Sequence, residues 1–505
     1  QKRFVTQFRC HHGRVFLLHR IPYHSPHNVE PYPWGFALLQ KPYTITFASH
    51  PLFQTMRGTS MSADFDLLND LLVKARRKGA DAADAVLVDA VSLSVTWRLG
   101  TLEQLERSEG SDIGLRVLIG RRQAIVSSSE RTPAALEELA ERAMAMARAV
   151  PEDPFCGLAD SADLIREIPD LDICDLHEPS AEQLTFMVRA AEEAGRAVPG
   201  ITNSHGASAG WGRRAVALVG SNGFAARYAV SHTGLSVSLL AGDEAHGMES
   251  DYDQTTAVHG ADLRVPEEVG RTAAARTLKR CGARKAMTTQ VPVVYDPREA
   301  CSLVSHFLSA INGASVARGT TFLKDRLHQP VFAEGMGIID DPLRRRGLRS
   351  KPCDAEGLPT RRSVLVENGV LQSWLLDQRS ARQLGLASTG HASRGPSSPP
   401  APAPTNAYLV PGALDPVALM ADIREGFYVT ELFGMGVNGV TGDYSCGATG
   451  FWIENGQRTY PVHEVTVAGN LKDMFRTLTV ANDLEFRHGI DSPTVRIEGM
   501  TVAGQ

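Results

Sequence analysis

No C-x-x-C pair occurs among the seven cysteines of this 505-residue chain, Cys10, Cys156, Cys174, Cys281, Cys301, Cys353 and Cys446. Their scatter excludes a disulfide framework or a thiolate zinc ribbon and predicts reduced, mostly structural thiols. Long apolar runs are missing too: none approaches the roughly 18 to 20 residues that a bilayer span requires, and no charged stretch followed by an apolar one and a small-residue cleavage site opens the chain. A membrane-spanning helix is therefore not expected, and the cytoplasm is the expected location. Acids are nearly absent from the first sixty residues, where Glu30 stands alone beside seven Lys or Arg and six histidines, His11, His12, His19, His24, His27 and His50. The pattern becomes regular at Met61, so Met61 is expected to be the true start and residues 1–60 an upstream extension.

What is present is ordinary globular composition, 43% hydrophobic and 22% charged, on a length that supports two or three domains. Without its first sixty residues the chain carries 45 basic against 56 acidic residues, a net charge of −11. Such a body has no reason to hold a phosphate backbone, and no direct nucleic-acid contact is expected.

From Met61 an amphipathic helix places Phe65, Leu68, Leu71, Leu72 and Ala75 on one face and ends at Gly79. Alternating runs at 85–88, 91–97, 114–119 and 124–128, separated by Gly100, Gly110 and Gly120, predict an antiparallel meander. A helix capped by Thr132, with Pro133 at its first position, reaches about Ala149. Residues 151–179, rich in Asp and Pro, read as a linker. Ser180 and Gln183 form a capping box for a helix to about Val198. Strands at 216–219 and 224–230 flank the turn Asn222-Gly223, a third strand is expected at 235–240, and a helix runs from Pro266 to near Gly282. A third unit opens with a strand at 291–295 and a helix capped by Asp296 that is expected to reach about Asn312. Two Asn-Gly hairpins follow, at Asn368-Gly369 and Asn455-Gly456, because both turn positions favour φ > 0. Between them, 391–404 is Pro-rich and expected to be a semi-rigid exposed loop. Antiparallel signals without a β-α-β rhythm predict an α+β protein of antiparallel sheets and flanking helices in two to three units: an N-terminal α+β domain at 61–150, a middle domain at 165–285 and a β-rich C-terminal domain at 286–505.

Several segments carry a more particular signature. These are GLASTGHA at 385–392, TNAYLVPG at 405–412, VTELFGMGVNGVTGDYS at 429–445, and GDYSCGATGFWIENGQRTYPVHEVTVAGNLKDMF at 442–475. Their order resembles the TldD/PmbA family, on its PmbA (TldE) branch, over nearly all of residues 62–505. The resemblance implies a subunit of a cytoplasmic heteromeric metallopeptidase that clips short or unfolded peptides, such as peptide-antibiotic precursors or labile antitoxins. In that family the TldD-like partner carries zinc through an H-E-x-x-x-H helix and a later cysteine. Aligned through Arg318 and Thr321, the two histidine positions fall here at Ser305 and Ala310, and the glutamate position at His306. Ile490, Asp491 and Ser492 stand where the later cysteine would lie. The resemblance thus implies no catalytic residue and no cofactor in this chain, the zinc belonging to the partner. Nor do the ten histidines beyond residue 60 suggest a separate site, since no two lie within one helical turn.

His391 and Arg394, flanking the Pro-rich segment, are candidates for contact with a peptide, with Tyr444 and Ser445 beside them; solvated loop residues are the simpler reading for the first two. Gly434 to Gly439 matches G-x-G-x-x-G, but no helix follows and a Gly-rich turn is expected. Cys446, read as part of a flexible Gly-rich turn, would need His463 or His391 as base to act as a nucleophile, and a structural thiol is favoured. Two other readings therefore stand beside the peptidase subunit: a regulator that acts by binding alone, as the family's older description as a modulator of DNA gyrase suggests, and a thiol hydrolase. Open strand edges at the terminal hairpins are expected to suit peptide capture by strand addition.

Overall fold

The computed structural model describes residues 61–243, 247–434 and 436–504; the proposed extension at 1–60 lies outside them. The described residues form one compact unit. Its first half is a single six-stranded antiparallel sheet built from β1 (Ala82–Arg98), β2 (Thr101–Ile119), β3 (Arg122–Ser128), β4 (Ile201–Gly220), β5 (Ala225–Asp243) and β6 (Gly247–Ala257), in the order β3-β2-β1-β4-β5-β6. Four helices accompany it: α1 (Met61–Arg77), α2 (Pro133–Ala149), α3 (Ala181–Arg196) and α4 (Pro266–Arg280). Because side chains alternate along a strand, the odd-numbered residues of β1 share one face. Ala83, Ala85 and Leu87 pack with α1 and α2, while Val91, Leu93 and Val95 pack with α3 and α4. All four helices thus cover one face, and the even-numbered residues, Asp84, Val86, Val88 and Ala90, look the other way.

β1 pairs with β2 on one side and β4 on the other, so the sheet runs across the expected 61–150 and 165–285 units. The strands are longer than the sequence pattern indicates. Runs 85–88 and 91–97 join in β1, and Gly110 is no turn but a strand residue opposite Ala90; the reversal is made by Leu99 and Gly100, at φ 49° and 84°. Likewise 224–230 and 235–240 merge in β5, because Gly234 stays extended between Gly210 and Thr256. The third strand of that group is β6.

The second half begins with β7 (Thr289–Tyr295), α5 (Pro297–Ala310) and α6 (Gly313–Ala317). Short elements follow: β8 (Ile338–Asp340), β9 (Ser363–Glu367), β10 (Val370–Leu371), α7 (Gln378–Leu384), β11 (Ala392–Ser393), β12 (Ala401–Pro402), β13 (Ala407–Leu409) and α8 (Pro416–Met420). The chain ends in β14 (Glu425–Phe433), β15 (Asp443–Glu454), β16 (Gln457–Asn470), α9 (Leu471–Arg476), β17 (Leu478–Val480), β18 (Ile490–Asp491) and β19 (Val495–Ala503). The main sheet runs β16-β15-β14-β7-β19-β17, and β19 also pairs with β16, so five strands close on themselves. Closure corrects the expectation of open edges at the terminal hairpin. β15 is flanked by β14 and β16, while the outer edge of β16 is covered by β19 at 466–468 and by Arg284 at 461–463. Both Asn-Gly turns form, with Asn368 and Gly369 at φ 48° and 79° and Asn455 and Gly456 at 49° and 76°.

The Pro-rich segment is a second correction at its two ends, while 397–399 between them are exposed. His391 is 3% exposed, Ala392 and Pro402 are buried, and β11 pairs with β12. The reason is polar rather than conformational: the segment carries the His391 ring and the Arg394 guanidinium into the fold, where each meets a carboxylate.

Candidate functional site

Helix α5 begins where β7 ends. The Asp296 carboxylate accepts the Arg298 N–H at 3.1 Å, and Pro297 occupies the first turn, where its missing donor costs nothing. The periodicity of Ala300, Leu303, Val304, Phe307 and Leu308 turns that stripe into the core of the second half. What remains on the other faces after Pro297 is Arg298, Glu299, Cys301, Ser302, Ser305, His306 and Ser309. The Ser305 hydroxyl donates to the Cys301 carbonyl at 3.0 Å, Ala310 is buried, and the half-buried His306 ring meets Tyr444 edge-on at 6.2 Å. Burial lowers the His306 pKa, which favours the neutral ring. A hydroxyl bonded to its own helix, a methyl group and one imidazole do not make the donor set that zinc requires. Among the described residues no group of three or more His, Cys, Asp or Glu is placed to hold a metal ion.

The segment where the family's later cysteine would lie meets α5 through β18. Asp491 occupies it, and its carboxylate accepts backbone N–H groups of Arg487, His488 and Gly489 at 2.8, 2.8 and 3.1 Å. Ser492 turns its hydroxyl to the Pro493 carbonyl at 2.9 Å. Both side chains serve the local backbone.

At the start of α5 stands a charge network, unmarked by any local motif, that helps to tie the two halves together. Arg298 donates to Asp251 of β6 at 3.1 Å and to the carbonyl of Thr430 at 3.2 Å, with its guanidinium over the Tyr252 ring. Arg280 of α4 reaches Glu431 at 2.6 Å and Thr449 at 2.9 Å. Burial pushes the Glu299 carboxyl up to about 7; Arg298 opposes the shift, and Glu431 and Asp296 add to it. Burial likewise drives the Cys301 thiol to about 12, which leaves it unreactive near neutral pH. These residues are brought together by strands distant in sequence, so no local spacing marks them.

The four peptide-contact candidates separate into two places. Tyr444 and Ser445 are neighbours on β15 and point to opposite faces, Tyr444 inward at 1% exposure and Ser445 outward. Burial beside Tyr295 and Cys446 raises the Tyr444 phenol well above its ordinary range. His391 and Arg394 lie elsewhere. The His391 ring bonds Asp340 through Nε2 at 3.1 Å and Thr389 through Nδ1 at 2.8 Å, and Thr405 donates twice more to Asp340, at 2.8 and 2.7 Å. Arg394 pairs with Asp84, which Arg116 also holds at 2.9 Å. Burial alone would raise the Asp84 carboxyl, but the two guanidinium groups keep it below its usual range. Cys446 sits in a strand opposite Val467, not in the flexible turn expected from its glycines, and is 6% exposed. His391 is committed to Asp340, and His463 faces Glu249 at 3.5 Å.

Known proteins share this sequence pattern and this fold. Family models for the PmbA/TldA metallopeptidase match in three parts: domain 1 over residues 83–147, the central domain over 174–280 and the C-terminal domain over 288–504. A protein named Metalloprotease PmbA from Escherichia coli O157:H7 is 36% identical over 84% of this chain and 93% of its own length. A homologue of that name from Haemophilus influenzae is 34% identical over 86% and 94%. Among solved structures, TldE from Thermococcus kodakarensis superposes with a TM-score of 0.78 at 20% identity, covering 87% of this chain and all of the other. A Bacteroides thetaiotaomicron protein described as a modulator of DNA gyrase superposes with a TM-score of 0.80 at 24% identity, covering 88% and 99%. At these identities the two structures speak for the fold alone.

Proposed function

The chain belongs to the PmbA/TldD metallopeptidase family, and from that premise we propose that it is a TldE-like, non-zinc subunit of a heteromeric metallopeptidase acting on short or unfolded peptides. A TldD-like homologue supplies the zinc. One observation supports the reading: at the positions of α5 that the resemblance assigns to two zinc-binding histidines and a glutamate stand Ser305, Ala310 and His306, and Asp491 has its carboxylate committed to three backbone N–H groups. A zinc peptidase needs an open metal position and a base for its bound water, and this chain offers neither on that helix. Its contribution is then to shape the chamber and to hold the substrate.

The test is to mix the purified chain with a homologue that retains H-E-x-x-x-H and to assay an unfolded peptide. Cleavage is expected only in the mixture, and a chelator should abolish it. Cys446→Ser should leave the rate near wild type. Chelator-resistant cleavage by the isolated chain, lost in Cys446→Ser, would instead establish a thiol hydrolase. A chain that binds a protein partner without cleavage under any condition would favour the regulatory reading.

A further inference from the structure

The face of the first sheet not covered by helices meets the segments around residues 348–355, 393–396 and 403–404, and between them lies a cavity of about 580 Å³. Its floor is apolar, formed by Val86, Val88, Val216 and Leu218 with the ring of Tyr228. Its walls carry four cations, Arg214, Arg349, Lys351 and Arg394, against a single lining carboxylate among the described residues, Asp112. The cations are short of partners. Among the described residues, no carboxylate lies within ion-pair distance of Arg214, Arg349 or Lys351, although Arg107, Arg116, Arg131 and Arg264 all find one in the same half of the molecule. Arg394 is paired through one nitrogen to Asp84, which it shares with Arg116; its side chain is 1% exposed, and its Nε and Nη2 are buried without a hydrogen-bond partner.

Buried guanidinium donors without acceptors and an excess of positive charge over an aliphatic floor are costly unless an anion completes them. The floor has few groups to hydrogen-bond a heterocycle. It is also the face of a sheet and not its edge, so an extended peptide has no backbone ladder to join. We propose that this cavity is a subsite for the C-terminal end of an apolar peptide, its carboxylate held by Lys351, Arg349 and Arg394 and its last side chains lying on the valine floor. That the ligand is a peptide rests on the peptidase reading above; the cation cluster and the floor do not. Burial, with Arg349 nearby, pushes the Lys351 ammonium below its ordinary range against the pull of Asp354, and a bound carboxylate would reverse that shift.

Isothermal titration of the full chain with an N-acetylated valine-leucine peptide, as its free acid and as its C-terminal amide, tests the proposal. The acid should bind about tenfold or more tightly than the amide, the range of one charge-assisted hydrogen bond. Lys351→Met and Arg349→Ala remove no ion pair, and each should weaken the acid toward the amide while the circular dichroism spectrum is kept. Equal affinity of acid and amide, no heat from either at millimolar concentration, or wild-type binding by both variants would overturn the subsite. Hexanoate binding as tightly as the peptide acid would overturn the peptide assignment. No cleavage is read, so failure here leaves the partner-dependent activity standing, and failure of that activity leaves this measurement intact.

Discussion

At the scale of single residues, local rules held well. The Thr132 cap, the Ser180–Gln183 capping box, the Asp296 cap and the two Asn-Gly turns all form where the sequence places them, because each depends on bonds within a few residues. His391 and Arg394 read in the sequence as peptide contacts or solvated loop residues, but their carboxylates, Asp340 and Asp84, lie 51 and 310 positions away, so nothing nearby revealed that both would be buried. Such long-range pairs have consequences for stability. Asp84→Ala would leave Arg116 and Arg394 without their shared anion in the interior, and a loss of about 3 to 5 kcal/mol is expected in urea titration; a change below ~1 kcal/mol would show that water reaches the pair. Glu356 behaves in the opposite sense. Burial raises its carboxyl to about 8, with Arg116 opposing and Asp354 adding, so the folded chain holds a proton that the unfolded chain releases at lower pH. Folded Glu356 therefore costs stability progressively as pH rises from its ordinary range toward 8. Glu356→Gln keeps an acceptor for the Gln378 N–H and removes that cost. Its melting temperature should match the wild type near pH 4 and exceed it increasingly up to pH 8.5; a constant difference across this range would contradict the shift.

At the scale of elements, helices were read to within a few residues and strands were not. α2, α3, α4 and α5 each carry a terminal signal and an apolar stripe, whereas β1 and β5 pass through polar and glycine positions without turning. A glycine in a strand is a turn only if its neighbours lack partners. Gly110 and Gly234 have them on paired strands, which the sequence alone cannot supply. Gly456 is the converse case, where the local signal is decisive. At φ 76° it closes the β15–β16 hairpin, and a Cβ there would lie 2.9 Å from the Cα and the carbonyl oxygen of Ala421. Gly456→Val combines a disfavoured backbone region with a backbone clash, and a loss of about 1 to 3 kcal/mol is expected in chemical denaturation. An unchanged midpoint would mean that the turn can relax into another type without disturbing the strand register.

At the scale of the whole molecule, two large hydrophobic cores are joined by a charge network and by a small apolar cluster in which Cys353 of the second half packs with Val86, Leu218, Phe224 and Ala226 of the first. The core of the second half draws only on residues from Ala286 onward, while the cores beside α1 to α4 draw only on residues up to Ala274. Between them stands the network of Arg280 and Arg298, in which Arg280 reaches Glu431 at 2.6 Å and lies 3.6 Å from both Glu249 and Asp251. The sequence showed the family, yet this clasp was invisible in it, since its residues come from α4, β6, β14, β15 and α5, a few from each. Removing one cation should therefore do more than lower stability. Arg280→Met keeps much of the apolar stem and leaves three carboxylates facing one another, with Arg298 beside Asp251 and the His463 ring beside Glu249. Glu431 is 43% exposed and Asp251 keeps Arg298, so a loss of about 1 to 3 kcal/mol is expected, below that of a fully buried pair, and it falls on the junction and spares both cores. Calorimetry should then show the unfolding transition splitting in two, the two bodies melting separately, with the lower transition moving further down as pH rises and Glu299 ionises beside Glu431. A single transition at the wild-type temperature would mean that apolar contact, and not this network, couples the halves.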